Sequence, residues 1–332
     1  MSWDLMELRP PLTDMRREQL SRFLRAQGLS YEGDADYTVM LADEYGAIVA
    51  SGALTGNVIR YMAVDEKLRG EGVTARMMTA LHTEAYAAGR TRLFLFTKPG
   101  NAPMFRDFGF FPISQTDNML LMENSRDGIR RFVGSLERGK GSVQGAIVAN
   151  CNPFTLGHQY LMETAAARCD TLHIFVLSED KSAFSAAERF EMVKKGITQL
   201  HNALVHPTSD YLISSVTFPT YFLKDNALAA RESCMLDLAV FCDYFAPALS
   251  ITRRFVGCEP FCRVTAEYNE AMKTYLPERG IEVSEIKRKE IDGEAVSASR
   301  VRSLLERGRM EEALALLPQT SWPYCLNRYG RG

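Results

Sequence analysis

The stretch that most constrains the fold runs from Gly145 to His158, with the sequence Gly-Ala-Ile-Val-Ala-Asn-Cys-Asn-Pro-Phe-Thr-Leu-Gly-His. Its first five residues form an apolar run of strand length, and a turn that contains proline follows. Helical spacing begins at Gly157, with Tyr160 and Leu161 on one face. A strand, a tight loop and a helix N-terminus are therefore predicted. Because such a terminus carries unpaired backbone N–H groups and a partial positive charge, it favours phosphate oxygens.

The end of this loop predicts chemistry at a phosphorus atom. Gly157 lets the backbone approach a ligand closely, and His158 can place an imidazole N–H against a phosphoryl oxygen as charge builds there. An isolated Gly-His pair is more often a buried or capping histidine. Here the run Asn-Pro-Phe-Thr-x-Gly-His follows a hydrophobic strand and resembles the (His/Thr)-x-Gly-His signature of the nucleotidyltransferase superfamily. These enzymes attack the α-phosphorus of a nucleoside triphosphate and release pyrophosphate.

The resemblance assigns roles to further loop residues. Asn152, Phe154 and Gly157 are expected to contact ATP. Thr155 stands where many members carry a first histidine. Because its hydroxyl can donate to a phosphate but cannot carry positive charge, His158 is expected to do more of the catalytic work.

Length and composition exclude several classes of protein. The chain has 332 residues, enough for two domains, and a formal net charge of -2. It contains no basic block that would predict a nucleic-acid partner, and its apolar runs are too short to span a membrane. The N-terminus lacks the basic-then-apolar order of a secretory signal, so a cytoplasmic protein is expected. The seven cysteines are scattered without metal-site spacing, so no protein-bound metal is predicted.

The N-terminal part is predicted to be a mixed α/β domain over residues 1–123. A helix, three short strands and the loop Arg69-Gly70-Glu-Gly72 precede a second helix. The loop resembles the pyrophosphate-binding loop of the GCN5-related N-acetyltransferases (GNAT), and Arg69, Gly70 and Gly72 are candidates for binding a coenzyme A-like arm. Thr74 departs from the family pattern, in which Gly or Ala is usual. The domain is therefore expected to be either an active transferase or a binding module without catalysis.

Residues 124–142 are predicted to form a helical linker, and residues 143–332 a second domain. This domain alternates strands and helices, which is typical of a Rossmann-like, doubly wound parallel sheet. One long helix is predicted over residues 228–245. Ser185 and Glu188 match a capping box, and Arg189 follows directly. The run Ser-x-x-Glu-Arg-x-x-Met-Val resembles the second helix start of the same nucleotidyltransferases, which makes Arg189 a candidate for binding phosphate or substrate or for positioning the helix, with a solvated surface arginine as the alternative.

The run Val-Ser-Ala-Ser-Arg-Val-Arg over residues 296–302 is the second phosphate motif. Ser297 is a good helix N-cap, so a capped helix without further function is the simpler alternative. The spacing resembles the Ile-Ser-Ser-Thr-x-Ile-Arg signature of the same superfamily, which implies that Ser297 and Ser299 hold the β- and γ-phosphates while Arg302 neutralises them.

Three more positions are candidate ligand contacts. Gly257 ends a predicted strand at the edge where parallel strands line a ligand crevice. Glu259 could contact adenine or ribose, or could be an ordinary surface acid. Lys224, which follows an aromatic run, could neutralise phosphate or the incoming carboxylate, or could simply extend along the surface.

Two longer runs carry a more specific resemblance. Residues 217–224 have the sequence Thr-Phe-Pro-Thr-Tyr-Phe-Leu-Lys, and residues 255–269 have Phe-Val-Gly-Cys-Glu-Pro-Phe-Cys-Arg-Val-Thr-Ala-Glu-Tyr-Asn. Together with the phosphate motifs and the N-terminal domain, they resemble the citrate lyase ligase family over nearly the whole chain. The resemblance implies an AMP-forming ligase that uses ATP with substrate-bound Mg²⁺. It also implies acetate and the citrate lyase acyl-carrier subunit, which bears a phosphoribosyl-dephospho-coenzyme A arm, as partners.

Two other activities stay open on the sequence. One is a nucleotidyltransferase that adenylates an acceptor resembling phosphopantetheine or nicotinamide mononucleotide. The other is a protein acetyltransferase that uses acetyl-CoA, with the second domain as a nucleotide sensor. A product that retains AMP would support the first, and acetyl transfer without ATP would support the second.

Overall fold

A computed structural model describes residues 3–68, 70–178, 182–212, 226–258 and 263–330, with backbone only at 226–230 and 263–264. The chain divides into two compact units. The first comprises residues 1–128 together with 216–239, and the second comprises residues 129–215 together with 240–332.

The first unit is built on a seven-stranded sheet. Its elements up to residue 123 are β1 (Asp4–Leu8), α1 (Asp14–Ala26), β2 (Tyr37–Ala42), β3 (Ile48–Thr55), β4 (Val58–Val64), α2 (Val73–Ala87), β5 (Phe94–Thr97), α3 (Ala102–Asp107), β6 (Phe111–Gln115) and β7 (Leu120–Glu123). The strand order is β1-β2-β3-β4-β5-β7-β6, and β4 with β5 is the one parallel pair. The mixed α/β sheet predicted for this part of the chain is confirmed.

The parallel pair at the centre of this sheet is short. Val58 pairs with Phe94 and Ile59 with Leu95, and the described pairing of β4 with β5 ends there. Beyond this point a cleft of about 390 Å³ opens, and its wall includes Tyr61, Thr74 and residues of both strands. The cleft of the first unit therefore begins where the described pairing of these two strands ends.

A later helix returns to the first unit. This helix, α7, spans Asn226–Val240. The carboxylate of Glu232 accepts hydrogen bonds from the Thr116 hydroxyl and, at 3.3 Å, from the Asn118 amide. Helix α7 therefore belongs to the first unit up to residue 239, although residues 129–215 of the second unit precede it in sequence.

The second unit is built on a five-stranded sheet. Its elements in chain order are α4 (Gly128–Ser135), β8 (Gln144–Ala149), α5 (Leu156–Ala166), β9 (Thr171–Val176), α6 (Ala186–Gly196), β10 (Ala203–Pro207), then, after α7, α8 (Ala246–Leu249), β11 (Ile251–Gly257), α9 (Arg263–Tyr275), β12 (Glu282–Ile286), β13 (Glu290–Ile291), β14 (Glu294–Ala295), α10 (Ala298–Glu306), α11 (Met310–Leu314) and α12 (Trp322–Tyr329). The strand order is β10-β9-β8-β11-β12, and every pair in the sheet is parallel. The predicted Rossmann-like parallel sheet is confirmed.

Strand β9 shows how this sheet is covered. Leu172, Ile174 and Val176 belong to the apolar core that also contains side chains of α5, α6 and α10. Phe175, which alternates with them, lies edge-on to Phe245, with 5.5 Å between ring centroids. Because side chains alternate between the faces of a strand, both faces of β9 are covered, and all six of its residues are buried.

The helix predicted over residues 228–245 differs in its last part. The α-helix ends at Val240, and a π-helical turn spans Phe241–Phe245. Pro247 follows within two residues, and since proline has no backbone N–H it removes a donor that regular α-helical bonding would use. The apolar pattern predicted a helix there but could not show the change in its hydrogen bonding.

A buried polar chain crosses the second sheet. The amide oxygen of Gln144 lies 3.1 Å from Nε2 of His173, and Nδ1 of His173 lies 2.9 Å from Nε2 of His206. Burial lowers the pKa of His173 to about 4, and burial with the neighbouring imidazole lowers the pKa of His206 to about 4. Both rings are therefore neutral at pH 7, with Nε2–H of each donating along the chain.

We expect this pair to weaken the fold in acid. In the unfolded chain these histidines take up protons near pH 6.5, whereas in the folded chain they do so near pH 4. The unfolded state therefore binds more protons between these values, and the free energy of unfolding falls by about 1.4 kcal/mol per pH unit for each histidine, about 2.7 kcal/mol for the pair, as pH drops through that window. Urea unfolding at pH 7, 6 and 5 measures the slope.

A His206→Phe variant should have a shallower slope than the parent. His201 is exposed, so His201→Gln serves as the control and should leave the slope unchanged. Equal slopes in the parent and the His206→Phe variant would contradict this account.

Candidate nucleotide-binding site

A cleft of about 630 Å³ lies at the carboxyl ends of β8, β11 and β12 in the second unit. This is the edge where open parallel sheets bind ligands. The first turns of α5 and α10 and the segment after β12 complete its wall. Of the sequence-predicted site residues, the cleft brings together Thr155, Gly157, His158, Gly257, Ser297, Ser299 and Arg302.

The start of α5 is held by a reciprocal cap between Thr155 and His158. The Thr155 hydroxyl accepts from the backbone N–H of His158 at 3.3 Å, and Nδ1 of His158 accepts from the backbone N–H of Thr155 at 3.1 Å. A capping box normally uses Glu or Gln at the third helical position. Here histidine takes that place, so one side chain both caps the helix and faces the cleft.

These bonds decide which nitrogen of His158 carries the proton. Burial, and to a smaller extent the charge of Arg288, lowers the pKa of His158 to about 4, so the ring is neutral at pH 7. Since Nδ1 accepts the Thr155 N–H, the proton of the neutral ring is on Nε2. His158 therefore offers an Nε2–H donor to the cleft. Phe154 stacks on the ring, with 6.0 Å between the centroids and 18° between the planes.

The two phosphate motifs meet at Gly157. A Cβ at this position would lie 2.8 Å from the carbonyl oxygen of Val296, the residue before the N-cap of α10. Only glycine allows that approach without displacing the backbone. The hydroxyl of Ser297 caps α10 by accepting from the N–H of Arg300 at 3.2 Å, and its oxygen lies 3.4 Å from that of Ser299.

Asn152 and Phe154 support the loop and are absent from the described wall of the cleft. The carbonyl of Asn152 accepts from the Arg302 guanidinium, which links α10 to the loop. The side-chain oxygen of Asn152 accepts from the N–H of Phe184 at 3.0 Å, and Ser321 donates to the carbonyl of Phe154 at 2.9 Å. The structure therefore places both residues behind the cleft wall.

Gly257 and Arg189 lie in different surroundings. Gly257 lines the cleft, and its carbonyl accepts from the side chain of Asn269 at 3.1 Å. Arg189 is fully buried, and its guanidinium donates to the carbonyls of Phe184 and Asn150 at 3.1 and 3.0 Å. It is neither a solvated arginine nor part of the cleft wall. A ligand in the cleft would meet Asn150 instead.

Three candidates lie outside the described residues: Arg69, Lys224 and Glu259. The same is true of the whole 217–224 run and of residues 259–262 in the second family-specific run.

Sequence reasoning missed a basic segment and an asparagine. Lys287, Arg288 and Lys289 follow β12 and line the cleft, and Asn150 lines it at the end of β8. The signal for the basic run was its position directly after the last predicted strand, at the ligand-binding edge of a parallel sheet. Asn150 had a weaker signal, as the first polar residue after the apolar run that ends at Ala149.

The side chains of the cleft wall determine how Mg²⁺ would be bound there. Among the described residues the wall carries cationic, hydroxyl and amide side chains and no carboxylate, and the described part of the chain holds no cluster of metal-binding side chains. A hard cation prefers oxygen ligands, so Mg²⁺ would be held by the phosphate oxygens of a nucleotide, and the hydroxyls of Ser297 and Ser299 would be available as protein ligands.

The first unit offers a different kind of cleft. Thr74 lines it, while Gly70 and Gly72 lie just before α2 with φ of +87° and +73°. Such values favour glycine, which explains both glycines in the loop. The described lining is largely apolar and includes no carboxylate or imidazole; its polar members are Gln27, Tyr61, Thr74, Thr97, Lys98 and Asn101.

Over the residues with described structure, no helix is both long enough and apolar enough to cross a membrane.

Comparison with known proteins assigns a family to each part of the chain. Residues 144–325 match the citrate lyase ligase C-terminal domain, and residues 11–120 match the acetyltransferase (GNAT) domain. Among solved structures, Thermotoga maritima TmcAL bound with alpha-thio ATP is 18% identical, with a TM-score of 0.36 over 57% of this chain and 56% of that one.

Similarity to two curated relatives extends over both units. The [citrate [pro-3S]-lyase] ligase of Klebsiella pneumoniae is 46% identical over 310 residues, which cover 91% of this chain and 90% of the relative. That of Haemophilus influenzae is 41% identical over 320 residues, 94% of this chain and 95% of the relative. The match to the citrate lyase ligase C-terminal domain covers more than half of the chain, and two relatives are more than 40% identical over both units. The chain therefore belongs to the [citrate (pro-3S)-lyase] ligase family of enzymes.

Proposed function

We propose that the second unit joins acetate to the α-phosphate of ATP, and that the acetyl group then passes to the thiol arm of the citrate lyase acyl-carrier subunit. Family membership makes the chain a citrate lyase ligase, and a ligase reaction implies ATP use. The specific carrier, its phosphoribosyl-dephospho-coenzyme A arm and acetyl-adenylate as the intermediate are parts of this proposal.

One observation carries the proposal. Two capped helix N-termini, the Nε2–H of His158 and a set of cationic side chains face the same cleft. Each helix start presents backbone N–H groups and a partial positive charge, which suits a polyphosphate. The volume of about 630 Å³ is within the range of small-molecule sites.

In the first step an acetate oxygen attacks the α-phosphorus. The bond between that phosphorus and the oxygen that bridges the α- and β-phosphates breaks, and pyrophosphate leaves with the electron pair of this bond. Acetate enters as an anion, so no general base is required. His158 donates from Nε2 to an α-phosphoryl oxygen, while Ser297, Ser299, Arg302 and the basic run after β12 bind the leaving pyrophosphate.

Mg²⁺ is proposed to enter with the nucleotide. When bound, it supplies charge neutralisation on the phosphate oxygens. The chain's own contribution is the pair of hydroxyls at the start of α10 and the cations opposite them. Gly257, with the neighbouring strand end, is proposed to line the adenosine part of the site.

In the second step the carrier's thiol attacks the acetyl carbonyl carbon, AMP leaves, and the thiol proton is released. The cleft of the first unit is proposed to hold part of the coenzyme A-like arm, with the Arg69, Gly70 and Gly72 loop at its phosphates. An amine acceptor would need a base, and the described lining offers neither carboxylate nor imidazole. This favours binding over an acetyltransferase activity of its own.

The first test is exchange of labelled pyrophosphate into ATP, with and without acetate and with no carrier present. We expect exchange that requires acetate. A His158→Ala variant should lose about 10²-fold or more of this rate, because a donor aimed at the developing charge is removed. His201→Ala, at an exposed histidine, is the control.

Two outcomes would count against this assignment. Retention of exchange within about threefold in His158→Ala would remove the proposed role of His158, since such a donor is normally worth far more. Exchange that does not depend on acetate but requires a phosphorylated acceptor would favour the alternative activity, a nucleotidyltransferase that adenylates such an acceptor.

A second prediction concerns the contact between the phosphate motifs. Gly157→Ala adds a methyl group 2.8 Å from the Val296 carbonyl, so the starts of α5 and α10 must separate. We expect the KM for ATP to rise about tenfold or more, because sub-ångström changes in a preorganised site are costly. Gly134→Ala is a glycine control outside the cleft wall, because an added Cβ would meet no heavy atom within 4 Å there. An unchanged KM in Gly157→Ala would show that the approach is not needed.

A third prediction separates the two steps. Ala63 lines the cleft of the first unit, and Ala63→Phe should fill part of it. We expect acetate-dependent exchange to stay intact and the KM for the carrier to rise about tenfold, equivalent to about 1.4 kcal/mol of binding free energy. Tyr45→Ala, at an exposed turn, is the control. Unchanged transfer to the carrier would contradict a role of this cleft in binding the arm.

A further inference from the structure

The buried arginine of α6 has an unusual set of partners. Arg189 is 0% exposed, and its Nη1 donates to both the carbonyl and the side-chain oxygen of Asn150, at 3.0 and 2.6 Å. Its Nε donates to the carbonyl of Phe184 at 3.1 Å. Burying a charge is costly unless it is well bonded. Two of these three bonds hold Asn150, so the arginine fixes that residue in particular.

The contact fixes which end of the Asn150 amide faces which way. A guanidinium can only donate, so the atom 2.6 Å from Nη1 must be the amide oxygen, and the NH₂ group is directed elsewhere. Asn150 is exposed and lines the nucleotide-binding cleft. The described partner of Nδ2 is the Ser182 hydroxyl, at a long 3.3 Å. The cleft therefore has an oriented amide donor beside a buried positive charge.

The position of Asn150 in the sheet suggests what it binds. Its partners Ser182 and Arg189 come from the segment after β9, on one side of β8, whereas the basic run follows β12, two strands away on the other side. In displacement at phosphorus, the attacking and leaving oxygens are roughly in line. If pyrophosphate leaves toward the basic run, the nucleophile approaches from the side of β9.

We propose that Asn150 donates from Nδ2 to the carboxylate of acetate and orients it for attack, with Arg189 as the residue that positions Asn150. This assignment rests on the proposed function, because it identifies the carboxylate subsite of that reaction. Asn150 exchanges no proton with acetate. The buried guanidinium adds a positive potential that favours a carboxylate at this point. Arg189 thus acts on the substrate through Asn150.

The test uses acetate-dependent exchange of pyrophosphate into ATP, with KM measured separately for acetate and for ATP. Asn150→Asp keeps the shape and can still accept from Arg189, but it replaces the donor with a negative oxygen that repels acetate. We expect its KM for acetate to rise about tenfold or more and that of Asn150→Ala by somewhat less, the effect of losing a bond to a charged group. The KM for ATP should change by less than about twofold in both variants.

Ser182→Ala is the matched control, since it removes the other described partner of Nδ2 and should leave the KM for acetate unchanged. Arg189→Lys retains the charge but cannot reproduce the bonds from Nε and Nη1. We expect it to raise the KM for acetate without raising that for ATP. A purely structural arginine would instead lower the melting temperature and impair both substrates equally.

Two results would overturn the proposal and are distinguishable. If the parent enzyme shows acetate-dependent exchange and the Asn150 variants keep its KM for acetate, the subsite is wrong while the proposed function stands. If the parent shows no acetate-dependent exchange, the proposed function fails and the subsite fails with it.

Discussion

The contact between Gly157 and the carbonyl of Val296 is the constraint on which the nucleotide site depends. It allows the first turns of α5 and α10 to share one cleft, although the two motifs lie far apart in sequence. The bond from Arg302 to the carbonyl of Asn152 fastens the same junction from the side of α10. Two helix N-termini with like partial charges repel each other, so a close steric fit is needed to hold them together. Their combined partial positive charge favours binding of an anion.

The reciprocal cap of Thr155 and His158 determines which hydrogen-bond donor His158 offers to the cleft. The backbone N–H of Thr155 fixes the His158 ring and its tautomer, and the Thr155 hydroxyl accepts from the backbone N–H of His158. A neutral imidazole with a proton on Nε2 is a directed hydrogen-bond donor. The cationic side chains of the described cleft wall are instead Arg254, Arg302 and the run after β12, and such side chains can neutralise a polyphosphate.

Much of the fold followed from the sequence because the signals were local. Alternation of strands and helices predicted the parallel sheet, and the run from Gly145 to His158 predicted its central strand, loop and helix. Ser185 and Glu188 form the capping box that their spacing predicted. The π-helical turn at Phe241–Phe245 had no such signal, since an apolar helical pattern does not report how the backbone is bonded. The return of α7 to the first unit likewise depends on contacts distant in sequence, such as those of Glu232.

By itself the sequence determined the chemistry available: a glycine where a ligand approaches, a histidine at a helix start, and hydroxyls and arginine at another helix start. The sequence also indicated the protein family, because two of its longer runs have a residue order that is specific to that family. Tertiary structure decided which groups meet. It placed Asn152 and Phe154 behind the cleft wall, buried Arg189 against Asn150, and brought Lys287, Arg288 and Lys289 into the cleft. The physical reason is that burial and hydrogen-bond partners are set by strand order and close packing, which join residues that local patterns treat separately.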